Sequence, residues 1–167
     1  MKIYITGVAG FLGSNLAQYL LSKGHYVRGN DSMIGGYESN IPHNIEFDKT
    51  DCANFDEMKS HLNGTDVLYH CAATAYEGLS VFSPSIVTQN IYQNSVATFS
   101  AAISAGVKKI IFCSSMARYG SQEYPFKEEM EPKPQDPYGI AKVAAEKAAQ
   151  AATEKAAAEA AKAAATQ

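Results

Sequence analysis

A tyrosine and a lysine four residues apart, Tyr138 and Lys142, have the types and spacing needed for proton transfer. Residues four apart share one face of a helix, where a lysine ammonium can stabilise a phenolate and make the tyrosine a general base. Tyr19 and Lys23 have the same spacing, so the spacing alone identifies no site. The later pair differs because it follows a proline-containing loop after a strand-like run, where parallel sheets bind ligands.

Three glycines near the amino terminus form a second pattern. Gly7, Gly10 and Gly13 are spaced G-x-x-G-x-x-G between a strand-like run and a helix-like run. Such a loop lets a pyrophosphate approach the backbone, and the N–H groups of the following helix point at the phosphates. The pattern predicts a dinucleotide site at Gly7, Gly10, Phe11, Leu12 and Gly13, and a glycine-rich turn without a ligand is the alternative.

Acidic residues follow the next two strand-like runs. A carboxylate at Asp31 can accept both hydroxyls of an adenosine ribose and would repel a 2′-phosphate, which predicts NAD rather than NADP. Asp31 could instead be a solvated turn residue, and Arg28 is a weak signal for NADP. Asp51 and Cys52 are predicted to contact adenine, although Asp51 could simply begin a helix.

Short β-type runs alternate with helical patterns, which predicts βαβ units around a doubly wound parallel sheet. The helix-like runs cover residues 12–23, 55–62 and about 85–105, and the first has leucines at every fourth position. The five predicted strands are 3–6, 26–31, 45–47, 67–71 and 109–113.

Composition narrows the class of protein. The 167 residues are 46% hydrophobic and 19% charged with a net charge of -3, which indicates a globular domain and argues against a nucleic-acid partner. No apolar run reaches the roughly 18 residues of a membrane span, and no signal peptide is evident, so a cytoplasmic location is expected. Three scattered cysteines, each among apolar neighbours, predict reduced, buried thiols and not a disulfide or metal framework, and the four histidines have no ligand spacing.

Four segments together resemble one enzyme family. The chain resembles the N-terminal part of an extended short-chain dehydrogenase/reductase of the NAD-dependent nucleotide-sugar epimerase/dehydratase group, and the likeness covers residues 1 to about 147. The segments that carry it are TGVAGFLG at 6–13, HCAA at 70–73, SSMARYG at 114–120 and PYGIAK at 137–142.

The resemblance implies a role for individual residues and a Rossmann fold. Tyr138 would be the general base, Lys142 its partner and ribose anchor, and Ser115 the hydroxyl that orients the substrate. The resemblance also implies cofactor contacts by Ala72, Ala73, Ser114, Tyr138 and Lys142. Asn90 and Asn94 both fall where the family carries an asparagine in its long helix, and the sequence does not choose between them.

The implied reaction is oxidation of a sugar hydroxyl to a keto-sugar, followed by hydride return to the other face. Dehydratases of the family carry an Asp-Glu pair where this chain has Met116 and Ala117. A 4-epimerase acting on a UDP-sugar is therefore favoured, with simple oxidation or reduction as another possibility. Tyr76, Glu77 and Ser80 are predicted to lie in a loop that faces the substrate.

Composition changes near residue 140, and 15 of the 25 residues from Ala141 to Ala165 are alanine. The sequence predicts an NAD-binding domain over 1–147 and an alanine-rich helical tail over 148–167. Because family members continue further, the chain reads as truncated. Three explanations of the alanine-rich tail stay open: an engineered helix, a natural low-complexity end, or a segment in which other residue types were written as alanine. An NAD-binding module or scaffold without turnover is the alternative function, and the resemblance implies a homodimer through the long helix and the Tyr-Lys helix.

Overall fold

A parallel sheet of five strands organises the described residues. The computed structural model describes the backbone of residues 1–165 and the side chains of residues 1–153. The strand order is β3-β2-β1-β4-β5, which is the order of a doubly wound fold. The strands are β1 Lys2–Thr6, β2 Tyr26–Asn30, β3 Glu46–Asp48, β4 Val67–His70 and β5 Lys109–Phe112. The predicted fold is confirmed, and each predicted strand lies within one residue of its observed bounds.

Helices cover both faces of this sheet. The helices are α1 Phe11–Ser22, α2 Phe55–Leu62, α3 Glu77–Ser80, α4 Pro84–Thr88, α5 Asn94–Ser104 and α6 Pro137–Ala165. On one face, Ile3 and Ile5 of β1 pack with Ala17 and Leu20 of α1. On the opposite face, Tyr4 packs in a cluster that α2 and α5 complete. Because β1 is buried on both faces, its central residues 3–5 are all apolar and do not alternate with polar ones.

Two predictions about the region after β4 were wrong in detail. The predicted long helix over 85–105 is interrupted by a π-helical segment, Gln89–Gln93, between α4 and α5. The predicted loop containing Glu77 and Ser80 is the short helix α3, and Ser80 is fully buried instead of facing the substrate. Ser80 and Ile91, one from each of these elements, are both buried, and local periodicity does not specify such tertiary packing.

Helix α6 brings the Tyr-Lys pair onto this scaffold. Tyr138 and Ala141 in its first turns pack with Val87 of α4 and Ile91 of the π-helical segment. The helix continues to Ala165, but the side chains that would decide how the alanine-rich tail packs lie outside the described residues. The division at residue 147 stays a prediction. In the described part of the chain, no helix is both long and apolar enough to cross a membrane.

Candidate functional site

A cavity of about 410 Å³ opens at the carboxyl ends of the strands. All thirteen residues predicted to contact a cofactor line it, from the glycine loop through Asp31, Asp51 and the Ala72-Ala73 step to Ser114 and the Tyr-Lys pair. Sheet pairing brings these residues together because the ends of adjacent parallel strands meet at one edge. The cavity is large enough for a small-molecule ligand.

The glycine loop leaves no room for side chains at two positions. A Cβ on Gly13 would lie 2.2 Å from the carbonyl oxygen of Gly7, and a Cβ on Gly7 would lie 2.8 Å from Cα of Ala72. Gly7 also adopts φ +71°, which favours glycine. No side chain caps α1, and Gly10, Phe11 and Leu12 at its start line the cavity, so the positive end of the helix dipole lies at the cavity edge.

Asp31 ties this loop to the turn that follows β2. Its Oδ2 accepts from the Ala9 N–H at 3.0 Å, and its Oδ1 accepts from the Met33 N–H at 2.8 Å. The carboxylate is buried and lines the cavity, and each oxygen keeps a second lone pair for a ligand hydroxyl. Asp31 is therefore an ordered acceptor and not a solvated turn residue.

Asp51 connects the cavity wall to the long helical region. Its Oδ1 accepts from the Ala53 N–H at 2.9 Å and from Asn94 Nδ2 at 3.1 Å. Asn94 Oδ1 is buried without a hydrogen-bond partner among the described residues, whereas Asn90 donates through Nδ2 to Thr74 Oγ1 at 2.9 Å. Both asparagines line the cavity, and Asn94 is the one that offers a buried acceptor to a ligand.

Tyr138 and Lys142 are buried beside the same cavity, with exposed fractions of 8% and 3%. Lys142 Nζ donates to the carbonyl oxygen of Cys113 at 2.8 Å and lies 5.9 Å from the centroid of the Tyr138 ring. Burial lowers the pKa of Lys142 to about 8, against the opposing effects of the nearby Cys113, Cys71 and Glu146. The other pair differs in environment, since Tyr19 is 58% exposed on the outer face of α1.

The two serines after β5 have different surroundings. Ser114 lines the cavity and donates through Oγ to the Glu146 carboxylate. The same carboxylate forms an ion pair with Arg118, in which Oε2 lies 3.1 Å from both Nε and Nη2. Ser115 does not line the cavity, and its Oγ accepts from the Ala117 N–H at 3.2 Å to cap a short 3₁₀ helix, Met116–Arg118. A substrate would have to sit beyond the cofactor cavity to meet Ser115.

A buried chain of hydrogen bonds is centred on His70 and reaches the cavity wall at Ala72. The Ser95 hydroxyl donates to the Ile91 carbonyl at 2.5 Å, so Ser95 Oγ accepts from His70 Nε2 at 3.0 Å. His70 Nδ1 then accepts from the Thr6 hydroxyl at 2.7 Å, and Thr6 Oγ1 accepts from the Ala72 N–H at 3.2 Å. These directions require a neutral imidazole that is protonated at Nε2. The chain of hydrogen bonds connects the Ala72 step to the π-helical segment.

Comparison with known proteins decides the family. The sequence model of the NAD dependent epimerase/dehydratase family matches residues 3–163. The chain belongs to this family.

Relatives and solved structures agree with this assignment. The chain is 32% identical to UDP-glucose 4-epimerase of Streptomyces lividans over 86% of its own length and 45% of the relative's, and 35% identical to that of Mycolicibacterium smegmatis over 87% and 49%. It superimposes on UDP-glucose 4-epimerase of Thermus thermophilus in complex with NAD with a TM-score of 0.89, 26% identity, and coverage of 93% and 51%. It spans about half the length of the relatives it matches.

The residues of this family member fit the family's cofactor, NAD. The glycine loop provides a cradle that a Cβ would fill, Asp31 offers carboxylate oxygens, and Asn94 offers an unpartnered buried oxygen. Sequence reasoning missed the part of the cavity wall formed by the turn after β2 and by two thiols. These residues are Ser32, Ile34, Gly35, Gly36, Cys71 and Cys113. Their positions at strand ends were the signal that could have found them.

Proposed function

We propose that this chain is the cofactor-binding part, with the acid-base residues, of an NAD-dependent nucleotide-sugar 4-epimerase. The observation that supports it best is the burial of Tyr138 and Lys142 on the wall of the cavity that the glycine loop lines. The same cavity is therefore lined by a loop that suits a dinucleotide and by a residue pair that suits removal of a proton.

When bound, NAD supplies reversible hydride transfer at a sugar carbon. Tyr138, as the phenolate that the Lys142 ammonium stabilises, accepts the proton of the hydroxyl on that carbon and becomes a neutral phenol, which gives the proton back in the return step. Lys142 is held for this role by its hydrogen bond to the Cys113 carbonyl. Burial excludes water, so the attraction between ammonium and phenolate is stronger than it would be at the surface.

Epimerisation is favoured over dehydration because Met116 and Ala117 carry no acidic or basic group. Loss of water from a keto-sugar needs an acid and a base beside the substrate. The relatives named above are UDP-glucose 4-epimerases, and the same enzyme of Thermotoga maritima, 30% identical to this chain with a TM-score of 0.82, was solved with UDP-glucose. We infer a UDP-sugar as the substrate. The homodimer and the cytoplasmic location stay predictions.

Replacing Tyr138 with phenylalanine tests the proposed base. Y138F is expected to lower kcat for UDP-glucose about 10²- to 10⁴-fold, because the proton acceptor is removed while the ring that packs against Val87 and Ile91 remains. Steady-state kinetics and calorimetry with NAD measure the two effects separately, and NAD affinity should change little. Y19F is the matched control, since it removes the hydroxyl of the exposed tyrosine with the same spacing to a lysine.

The alternative function predicts a different result in the same assays. A chain that binds NAD but converts none of a panel of UDP-sugars would be an NAD-binding module without turnover of its own, which is the alternative function. Equal turnover by wild type and Y138F would instead exclude Tyr138 as the base.

Replacing Asp31 with asparagine tests the predicted preference for NAD. D31N removes the negative charge that would repel a 2′-phosphate, so the ratio of the Kd values for NAD and NADP should shift about tenfold toward NADP, or about 1.4 kcal/mol. Calorimetry with both dinucleotides measures the ratio. D51N is the control, because this second cavity carboxylate is assigned to the adenine end, where the two cofactors are identical. An unchanged ratio in D31N would contradict the assignment of Asp31 to the ribose.

A further inference from the structure

Two thiols stand side by side in the cavity wall, outside the proton-transfer role assigned above. Cys71 follows β4 and Cys113 follows β5. His70 and Phe112 are the last paired residues of these strands, and beyond them the Cys113 N–H donates to the His70 carbonyl at 3.1 Å. Their sulfur atoms are 3.6 Å apart, and both residues line the cavity. Cys52, the third cysteine, is only 4% exposed.

We propose that Cys71 and Cys113 form an oxidisable dithiol site in the cofactor cavity, where hydrogen peroxide closes a disulfide between them. A disulfide bond is about 2.05 Å long, so the two sulfur atoms need to approach by roughly 1.5 Å. Both cysteines lie just beyond the last paired residues of β4 and β5, and rotation of the two side chains about χ1 can supply this movement. The prediction of buried thiols was wrong for these two cysteines, because both lie in the cavity wall and are partly exposed, which gives a small oxidant access.

The reaction balances with two thiols and one peroxide. The Cys113 thiolate attacks a peroxide oxygen, an S–O bond forms, the O–O bond breaks, and the departing hydroxide takes a proton to become water. The Cys71 sulfur then attacks the Cys113 sulfur, the S–S bond forms, the S–O bond breaks, and a second water leaves with the Cys71 proton. Two electrons pass from the thiols to the peroxide.

The surroundings assign the attacking role to Cys113. The hydrogen bond from the Cys71 thiol lowers the pKa of the Cys113 thiol, and the Lys142 ammonium acts in the same direction. The same hydrogen bond and burial raise the pKa of the Cys71 thiol, which suits it as the resolving group. The Lys142 ammonium lies close to Cys113 because its Nζ donates a hydrogen bond to the Cys113 carbonyl.

Peroxide treatment of the 167-residue chain, followed by intact mass measurement without reductant, tests the proposal. The expected result is loss of two hydrogen masses, reversal by dithiothreitol, and a digest in which the peptides containing Cys71 and Cys113 are joined. C71S and C113S should each abolish the two-hydrogen loss, and C52S should retain it. Oxygen addition without this loss, a disulfide between two chains, or a disulfide containing Cys52 would overturn the proposal.

Cofactor protection tests the location of the dithiol separately. Because both thiols line the NAD cavity, saturating NAD should slow disulfide formation several-fold, measured by mass and not by turnover. An unchanged rate in a chain shown by calorimetry to bind NAD would overturn the placement of the dithiol in the cofactor cavity. Failure to bind NAD would instead count against the proposed function and leave the two-hydrogen test to decide the dithiol by itself.

Discussion

Gly13→Ala is expected to abolish measurable NAD binding. The added Cβ would lie 2.2 Å from the Gly7 oxygen and 2.8 Å from the Gly7 carbonyl carbon, distances that no Cβ tolerates. The loop must therefore move away from the first turn of α1, and the backbone groups that would hold a pyrophosphate move with it. Because the clash is with backbone, we also expect a loss of stability of about 1–3 kcal/mol. Calorimetry with NAD and urea unfolding measure the two effects.

Gly78→Ala is the matched control. A Cβ at this position in α3 meets nothing within 4 Å, and Gly78 has no positive φ. Alanine should leave NAD affinity unchanged and stability equal or up to about 1 kcal/mol higher, because it restricts the unfolded chain. NAD binding of normal affinity by a folded G13A chain would contradict the assignment of the glycine loop to the dinucleotide.

His70→Ala is expected to have the largest effect on stability, about 3–5 kcal/mol. The imidazole is only 1% exposed, stacks on Phe112 with a centroid distance of 5.7 Å, and meets Phe99 edge-on. Alanine leaves a cavity and removes the hydrogen-bond partner of two buried hydroxyls, those of Thr6 and Ser95. Urea unfolding at pH 7 measures the loss.

The same residue predicts how stability changes with acid. Burial, with a smaller effect of the Lys142 charge, lowers the pKa of His70 from 6.5 to about 3. Between these values the unfolded chain binds a proton that the folded chain does not, so the contribution is present above pH 6.5 and is lost as pH falls toward 3. The total is on the order of 4–5 kcal/mol.

His70→Gln isolates this effect from the packing defect. Glutamine does not ionise and keeps an amide donor for Ser95, so its free energy of unfolding should fall less steeply than that of wild type between about pH 6.5 and 4. Other titrating groups are common to both chains and cancel in the difference. Equal slopes in the two chains would contradict a buried neutral imidazole at His70.

The sheet was predictable because its strands are short apolar runs separated by helical periodicity. Such patterns are local, and the five strand positions and the first two helices follow from them. The π-helical segment Gln89–Gln93 was not predictable, because an inserted residue in a helix changes neither composition nor propensity. Asn94 begins the helix that follows this segment, and its Oδ1 is buried without a hydrogen-bond partner among the described residues.

The candidate site shows the same division. Motif spacing located the glycine loop and the Tyr-Lys pair, but the same spacing also selected Tyr19 and Lys23, which lie on the surface. Burial separates the two pairs, and burial depends on packing between distant parts of the chain. Ser115 is a further example. The sequence placed it after β5, but the hydrogen bond that its Oγ accepts from the Ala117 N–H depends on the turn that follows.

By itself the sequence determined the order of strands and helices, the dinucleotide loop and the residue types available for proton transfer, because periodicity and spacing are properties of neighbouring residues. Tertiary structure decided which groups meet. Pairing of β4 with β5 brings Cys71 within 3.6 Å of Cys113 across 42 positions, and α6 places Lys142 on the Cys113 carbonyl across 29. Such contacts depend on strand pairing and helix packing between distant segments, which local pattern does not specify.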